Sequence, residues 1–411
     1  MNQKLRLRTL TPIWTGGADG KPDGLKMSGI LGSMRAMMEG LVRENGGRIC
    51  PCMPPDGCIL KEKKDPICPV CRIFGCNGLS RAFKLNWDLP NTRRIGSIPI
   101  PMEDLDPKWR NRNHDCEPYE GGTSIDTWIA SPLRKSRGIF APSEHKGAQD
   151  ELRGSLFPAY SPDFTELEII PLRTVPGIDL FRLLSQLLTQ MADRYALGAK
   201  VNQGWGFFEL APESRCEGVD EIRKLVELYP YSGNTKQHQI PEFHYQAFPE
   251  IQIPYQVGSG KPVSDTLGFS WGSDPLKSKF PFIALGFALQ YRLRRIVKFE
   301  AIIDPEDLSD EETELLDEIR ADGDEWGLTH KNNISQYHKF DLPWKEEGAY
   351  AEYLFGSANN EKHAGMIGIS HLYRKPDGQW YVRMISQCPE KEYAQHVYEE
   401  FQYQMRRHWK V

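Results

Sequence analysis

The first half of the chain is organised around one stretch, Leu25-Lys26-Met27-Ser28-Gly29-Ile30-Leu31-Gly32-Ser33-Met34-Arg35. From here apolar residues recur at intervals of three and four, which is typical of an amphipathic helix running to about Asn45. Ser28 is the predicted N-cap, because a serine side chain can accept a hydrogen bond from a backbone N–H of the first turn. Gly46 and Gly47 follow and predict the end of the helix.

Small residues on another side of this helix leave two interpretations open. Gly29 and Gly32 each cost a helix roughly 1 kcal/mol relative to alanine, which indicates that close approach of another group matters here. That group could be an anion such as phosphate, since free N–H groups and the helix dipole favour negative charge at a helix start. It could equally be a neighbouring strand, and these residues alone favour the packing role.

Strand patterns on both sides of the helix predict an α+β fold. An alternating strand, Lys4 to Arg8, precedes the helix with its basic side outward. Three more strand candidates follow at 80–87, 123–130 and 164–172. A second helix begins after Asp179, its predicted N-cap, and a glycine-rich turn leads into a strand at 204–210. This order predicts a ferredoxin-like unit, in which helices cover one face of an antiparallel sheet.

The length of 411 residues predicts two domains. We place the N-terminal domain at 1–212, with a cysteine-rich insertion at 48–78, and the C-terminal domain at 213–411. Strand candidates in the second half lie at 243–254, 365–375 and 380–386. Helix candidates lie at 282–296 and 390–408.

The net charge of −5 argues against a uniformly basic nucleic-acid-binding protein, although it does not exclude a basic face. Much of the acid lies in one block, 304–324, and the rest of the chain carries a net positive charge. We find no apolar run long enough for a membrane span and no secretory signal in residues 1–10. These features predict a cytoplasmic protein.

Six of the nine cysteines lie between Cys50 and Cys76, in a chain without a secretory signal, which favours a metal site or reduced thiols over disulfides. Cys68 and Cys71 have the CxxC spacing that lets two thiolates reach one tetrahedral ion. The predicted ligands of a structural zinc ion are Cys52, Cys58, Cys68 and Cys71. Cys50 or Cys76 could replace one of them, and reduced thiols without metal are the alternative.

Basic and aromatic residues near the helix start and the glycine-rich turn could bind nucleic acid, since lysine and arginine pair with phosphates and aromatic rings stack on bases. The candidates are Lys26, Arg35, Arg81, Lys84, Lys200, the run 134–137, Trp87, Trp205 and Phe207. Solvated arginines and core aromatics are the ordinary alternative. Asp19 or Asp23 could act as a general base on an RNA hydroxyl, but aspartates in glycine-rich loops more often stabilise turns.

Several ordered motifs are similar to those of a known family. They are Leu10 to Asp19, Ser28 to Arg35 running into Glu39 to Arg43, Cys68 to Phe83, and Gly198-Ala199-Lys200 followed by Gln203-Gly204-Trp205-Gly206. Together they resemble the RAMP superfamily of CRISPR proteins, and most closely the family of first Cmr subunits of type III-B effector complexes. The resemblance is strong in the first half. Ala36-Met37-Met38 departs from it, since the family often has aromatic residues there.

The resemblance implies two ferredoxin-like (RRM-like) domains and a place in a crRNA-guided ribonucleoprotein, capping the side of the crRNA 3′ end. It implies that the subunit binds crRNA and target RNA beside other RAMP subunits without cutting RNA. The RNA-binding residues predicted on this basis are Lys26, Ser28, Ser33, Arg35, Arg81, Lys84, Lys200, Gln203 and Trp205. One alternative is a RAMP-type endoribonuclease that uses Asp19 or Asp23, and another is an assembly subunit that contacts only protein.

Overall fold

The computed structural model describes residues 3–15, 25–50, 58–62, 66–87, 161, 163–199, 201–233, 245–253 and 363–388. It also describes 355–357 and scattered positions within 282–293 and 391–405. The strand candidate at 123–130, the basic run 134–137, the acidic block 304–324 and the aspartates Asp19 and Asp23 lie outside the described residues.

The chain forms two compact units, each discontinuous in sequence. Unit 1 consists of Met1–Ile95, Leu156–Pro249 and Arg383–Ala394, and unit 2 consists of Gly96–Ser155, Glu250–Val382 and Gln395–Val411. These units interleave along the sequence, whereas we predicted a single division after residue 212. That division into domains stays a prediction.

The described helices and strands are as follows in chain order. They are β1 (Gln3–Thr9), α1 (Met27–Glu44), α2 (Pro69–Phe74), β2 (Phe83–Trp87), β3 (Thr165–Pro171), α3 (Leu180–Arg194), β4 (Phe208–Leu210), α4 (Asp220–Leu228), β5 (Gln246–Ala247), β6 (Ile251–Ile253), β7 (Phe282–Ile283), β8 (Gly356–Ser357), β9 (His363–Ala364), β10 (Ile367–Ile369), β11 (Leu372–Arg374), β12 (Trp380–Val382) and β13 (Met384–Ser386). None of the described helices is long and apolar enough to cross a membrane.

Unit 1 contains an antiparallel sheet with the strand order β2-β3-β1-β4. Side chains alternate along β1, so that Leu5 and Leu7 are buried while their neighbours face outward. Helices α1 and α3 cover the buried face and contribute Met34 and Leu184 to the same core. The described elements keep the predicted order of strand, helix, strands, helix and strand, with the strand candidate at 123–130 outside the described residues. The α+β class with antiparallel sheets is confirmed.

The start of α1 differs from the prediction. The helix begins at Met27 with Lys26 as N-cap, so Ser28 already lies within the first turn and does not cap the helix. The backbone N–H of Lys26 donates instead to the hydroxyl of Thr15, at 2.8 Å, from a segment that precedes the helix. A tertiary partner thus replaces the local cap, which spacing alone does not reveal. The predicted cap of α3 is confirmed, since the Asp179 carboxylate accepts from the N–H of Arg182 at 3.0 Å.

The glycines of α1 have different neighbours. A Cβ atom at Gly29 would lie 3.0 Å from the methyl group of Thr15, and one at Gly40 would lie 2.0 Å from the ring of Tyr245. The hydroxyl of Tyr245 also donates to the carbonyl of Ala36 at 3.1 Å, so its ring lies along the helix. Gly32 is exposed, and a Cβ atom there would meet no described atom within 4 Å. Packing therefore explains Gly29 and Gly40 but not Gly32.

Unit 2 contains an antiparallel sheet with the order β6-β12-β11-β7, and β8 pairs with β9. The predicted turn between β11 and β12 is confirmed: Gly378 has a φ of 82° and donates its N–H to the carbonyl of Lys375 at 2.9 Å. Of the helix predicted at 282–296, Leu289 and Leu293 are buried helical positions. The predicted start is wrong, because Phe282–Ile283 form strand β7 and pair with β11. A second ferredoxin-like domain stays a prediction.

Candidate functional site

The start of α1 and the glycine-rich loop after α3 lie against each other in unit 1. The hydroxyl of Ser33 donates to the carbonyl of Ile30 at 2.9 Å and accepts from the backbone N–H of Gly198 at 3.0 Å. The loop also pairs with the segment before the helix, since the N–H of Ala199 donates to the carbonyl of Trp14 at 2.8 Å. Three segments that are distant in sequence therefore meet at the helix start.

Exposed groups at this meeting point come from one side of α1. Ser28 and Gly32 are exposed and four residues apart, so they lie on one face of the helix. Lys26 is half-buried at the N-cap, where the helix dipole favours an anion. The helix start therefore offers a cation at its N-cap and, on one helix face, a hydroxyl and an open backbone position, a combination suited to binding a phosphate group.

Several residues predicted to bind RNA serve the core instead. Ser33 is buried, and its hydroxyl bonds within unit 1 as described above. Trp205 is 0% exposed and packs on Trp14 with ring centroids 6.0 Å apart. The other two stacking candidates, Trp87 and Phe207, are also buried. These aromatic rings present no exposed face to a base.

Two predicted residues lie partly or wholly outside the described region. The structure does not describe Lys200. The backbone of Gln203 belongs to a 3₁₀ turn, Val201–Gln203, that continues the glycine-rich loop, but its side chain is outside the described atoms. Their roles in RNA binding stay predictions.

The outer face of the sheet carries basic residues that are already paired. The Nζ atom of Lys4 lies 2.6 Å from Oε2 of Glu166, and the Nη1 atom of Arg6 lies 2.7 Å from Oε1 of Glu213. Arg8 pairs with Glu209. Glutamates of the neighbouring strands and of the turn after β4 thus neutralise the basic side chains predicted to face outward from β1. Phosphate binding on this face would have to displace those carboxylates.

Arg81 and Lys84 lie at the edge strand β2. Lys84 is exposed between the buried residues Phe83 and Leu85, so its side chain is on the sheet face opposite to α1. Among the described residues neither Arg81 nor Lys84 forms an ion pair. The residues predicted to bind RNA therefore divide between the helix start and the β2 edge rather than lining a single face.

Four buried cysteines converge beside α1. The sulfur atoms of Cys50, Cys58, Cys68 and Cys71 all lie within 4.8 Å of one another. The sulfur of Cys50 is 3.5 Å from that of Cys71 and 3.6 Å from that of Cys68. A tetrahedral zinc ion with bonds of about 2.3 Å separates its sulfur ligands by about 3.8 Å. The spacing of these sulfurs therefore fits one tetrahedral ion.

Local backbone geometry orients these thiols. Cys68 is the N-cap of α2, its sulfur accepts from the N–H of Cys71 at 3.4 Å, and Pro69 occupies the first turn. The N–H of Cys68 donates in turn to the sulfur of Cys58 at 3.3 Å. The CxxC spacing thus places two sulfurs at the start of a short helix, where backbone N–H groups stabilise negative charge on sulfur.

Crowding makes the four thiols difficult to ionise together. Hydrogen bonding with Cys50, followed by hydrogen bonding with Cys58, raises the pKa of both Cys68 and Cys71. The pKa of Cys58 falls to about 7: its contact with Cys50 raises it, but contacts with Cys68 and Cys71 outweigh that effect. Because like charges oppose further ionisation, a bound cation is the simplest way to hold four thiolates together.

The fourth member of the cluster differs from our prediction. Cys58, Cys68 and Cys71 take the predicted places, but Cys50 joins them where we predicted Cys52. Cys52 lies outside the described residues. Cys76 is half-buried and outside the group of four, and it exchanges backbone hydrogen bonds of 3.0 Å with Leu79.

Two polar side chains lie near the cysteines, and we had assigned neither to the metal site. Arg35, predicted to bind RNA, donates from Nη2 to the sulfur of Cys71 at 3.1 Å. Tyr231 is buried in the same core as Cys58, and burial followed by the charges of Cys58 and Cys50 raises the pKa of its hydroxyl. Tyr231 is far from the cysteines in sequence, and no spacing rule connects them. Arg35 was predicted to bind RNA because it is basic and ends the motif Ser28 to Arg35, and neither signal points to a thiol.

The family comparison agrees with the arrangement of unit 1. The sequence profile of the RAMP superfamily matches residues 6–209. Residues 6–209 belong to the RAMP superfamily. This RAMP region begins in β1 and ends in β4, so it includes most of the four-stranded sheet, both covering helices and the cysteine cluster.

One solved structure extends the comparison beyond the RAMP region. It is a cryo-EM structure of the type III-B Cmr-beta complex bound to cognate target RNA and AMPPnP in the presence of single-stranded DNA. The alignment covers 98% of this chain and 99% of the solved chain, with a TM-score of 0.38 and 10% sequence identity. No curated protein matches the chain.

Proposed function

We propose that this RAMP protein is a non-catalytic, RNA-binding subunit of a type III-B CRISPR-Cas effector complex, with crRNA, target RNA and other RAMP subunits as its partners. In this proposal it caps the side of the crRNA 3′ end, helps to bind target RNA in antiviral defence and acts in the cytoplasm. The observation that carries the proposal is the meeting of the α1 start with the glycine-rich loop inside a RAMP region.

The exposed groups at the helix start support an RNA backbone as the ligand. Lys26 and Ser28 would contact phosphate there, and Lys200 and Gln203 would approach from the adjoining loop. Gly32 supports this assignment because its helical backbone is open and exposed without a described packing partner. Arg81 and Lys84 would form a second contact at the β2 edge. Ser33 and Trp205 would support the surface from within the core.

Salt-dependent RNA binding tests the proposal. The double variant Lys26→Gln/Lys200→Gln should weaken binding of a labelled single-stranded RNA to the purified chain. It should also reduce the slope of log affinity against log salt by about 1.4, because two phosphate contacts are lost. Arg81→Gln/Lys84→Gln measures the contribution of the β2 edge in the same assay.

The matched control is Lys4→Gln/Arg6→Gln, which removes the same charge from side chains that pair with glutamates. This control variant should change the slope of log affinity against log salt much less than Lys26→Gln/Lys200→Gln does. Equal slopes for the control and Lys26→Gln/Lys200→Gln would refute a specific site at the helix start. The labelled RNA should also keep its length, whereas cleavage lost in Asp19→Ala or Asp23→Ala would support the endoribonuclease alternative.

We further propose that Cys50, Cys58, Cys68 and Cys71 hold a structural zinc ion in a knuckle-like insertion of the RAMP region. The buried four-thiol set supports a closed site, since catalytic zinc normally keeps an open position for water or substrate. In this role the ion would fix α2 and its flanking segments to the core. The metal ion would take no direct part in RNA binding.

A further inference from the structure

Arg35 directs its guanidinium group toward α2. Its Nε donates to Glu39 at 3.1 Å, its Nη1 to the carbonyl of Gly75 at 3.1 Å, and its Nη2 to the sulfur of Cys71 at 3.1 Å. Cys71 lies within α2 and Gly75 ends it. One side chain of α1 therefore bonds to both a thiol of the cluster and the end of the helix that carries it.

The charge of Arg35 suits a metal-bound thiolate. A divalent ion with four thiolate ligands has a net negative charge, which is costly in a buried site unless a nearby cation offsets it. The four cysteines are buried, and the Arg35 side chain is 27% exposed. A guanidinium N–H directed at sulfur supplies both a hydrogen bond and a compensating charge. Residues that hold metal ligands in this way commonly strengthen metal affinity.

We propose that Arg35 is a positioning residue of the metal centre, which holds Cys71 and partly neutralises the bound thiolates. This inference rests on the metal site proposed above. It also assigns Arg35 to the metal centre rather than to RNA, because its Nε, Nη1 and Nη2 atoms all have protein partners.

Metal retention in the full chain tests this role without RNA. The variant Arg35→Gln should lose zinc to a competing chelator with an apparent affinity about 10- to 100-fold lower than that of the unchanged protein. After substitution with cobalt(II), it should keep the thiolate charge-transfer absorption of a four-sulfur site, because every cysteine remains. Arg35→Lys should recover part of the affinity by restoring the charge without the planar fork.

The control is Arg43→Gln, which removes the same charge from the same helix at a side chain without a described contact to the cysteines. Equal zinc affinity for Arg35→Gln and Arg43→Gln would overturn the proposal. If Arg35→Gln fails to fold, Arg35→Lys replaces it and should lower zinc affinity relative to the unchanged protein while the cobalt spectrum keeps its four-sulfur form. Unchanged zinc affinity in Arg35→Lys would then refute the inference, and an unchanged protein that binds no stoichiometric metal would refute both the metal site and this role.

Discussion

Gly32 and Gly40 lie on the same helix but have different surroundings. The position of Gly40 is filled by the ring of Tyr245, whereas Gly32 faces open space among the described residues. Their sequence contexts are alike, since each glycine has one leucine and one polar residue as its chain neighbours. The sequence therefore cannot distinguish a glycine that packs against a neighbour from one that leaves space for a ligand. The neighbouring residues in the structure make that distinction.

Alanine substitution at these two glycines should change stability in opposite directions. Gly40→Ala should lower the free energy of unfolding by about 1–3 kcal/mol, because the new methyl group would overlap the Tyr245 ring. Gly32→Ala should raise it by up to about 1 kcal/mol, because alanine favours the helix and meets no described atom. Urea denaturation measures both, and destabilisation of equal size in the two variants would contradict the assigned surroundings.

Individual side-chain roles were the least predictable part of the site. Trp205 follows a glycine-rich turn and could be assigned to RNA or to the core, and only its contact with Trp14 identifies it as core. Ser33 was predicted as a phosphate ligand, but a backbone N–H from a distant loop occupies its hydroxyl. Such long-range partners have no periodic signal in the sequence.

Elements were easier to predict than side chains, because the spacing of apolar residues depends on local geometry. The apolar spacing of α3 and its Asp179 cap were sufficient to locate that helix. The start of α1 was predicted less well, since Thr15 outside the helix supplies the partner of the Lys26 N–H. The CxxC spacing identified Cys68 and Cys71, but it could not choose between Cys50 and Cys52.

Lowering the pH should release the metal and loosen α2. Metal binding keeps the four cysteines as thiolates, so the bound state lowers their pKa values relative to free thiols near about 8.5. The stabilisation from metal is therefore complete above the pKa of the free thiols and declines as pH falls through the pKa of the bound ones. Zinc should be retained at neutral pH and released on acidification to about pH 5.

Hydrogen exchange after chelation at neutral pH separates this effect from general acid unfolding. Amides of α2 should exchange faster without metal, while those of β1 and β3 keep their protection, because α1 and α3 cover the sheet with apolar residues that do not depend on the metal. Uniformly faster exchange across unit 1 would show instead that the metal supports the whole unit. Unchanged exchange in α2 would argue against any structural metal.

Across the whole molecule, more of the structure could be predicted from the sequence in the first half than in the second. The first half has long elements with clear periods, and both the chain order of its described elements and its match to the RAMP superfamily agree with the prediction. The described strands of unit 2 are mostly two or three residues long, too short to give a reliable alternating pattern. The predicted second ferredoxin-like domain therefore depends on the resemblance alone.

The central claim is that this chain binds RNA through the helix start of its RAMP region inside an effector complex. Ultraviolet crosslinking of labelled crRNA and target RNA in the assembled complex, followed by peptide mapping, tests it most directly. The account predicts crosslinked peptides from residues 25–35 and from the glycine-rich loop at 198–206. Crosslinks confined to other subunits, with none on this chain, would contradict it and favour an assembly subunit that contacts only protein.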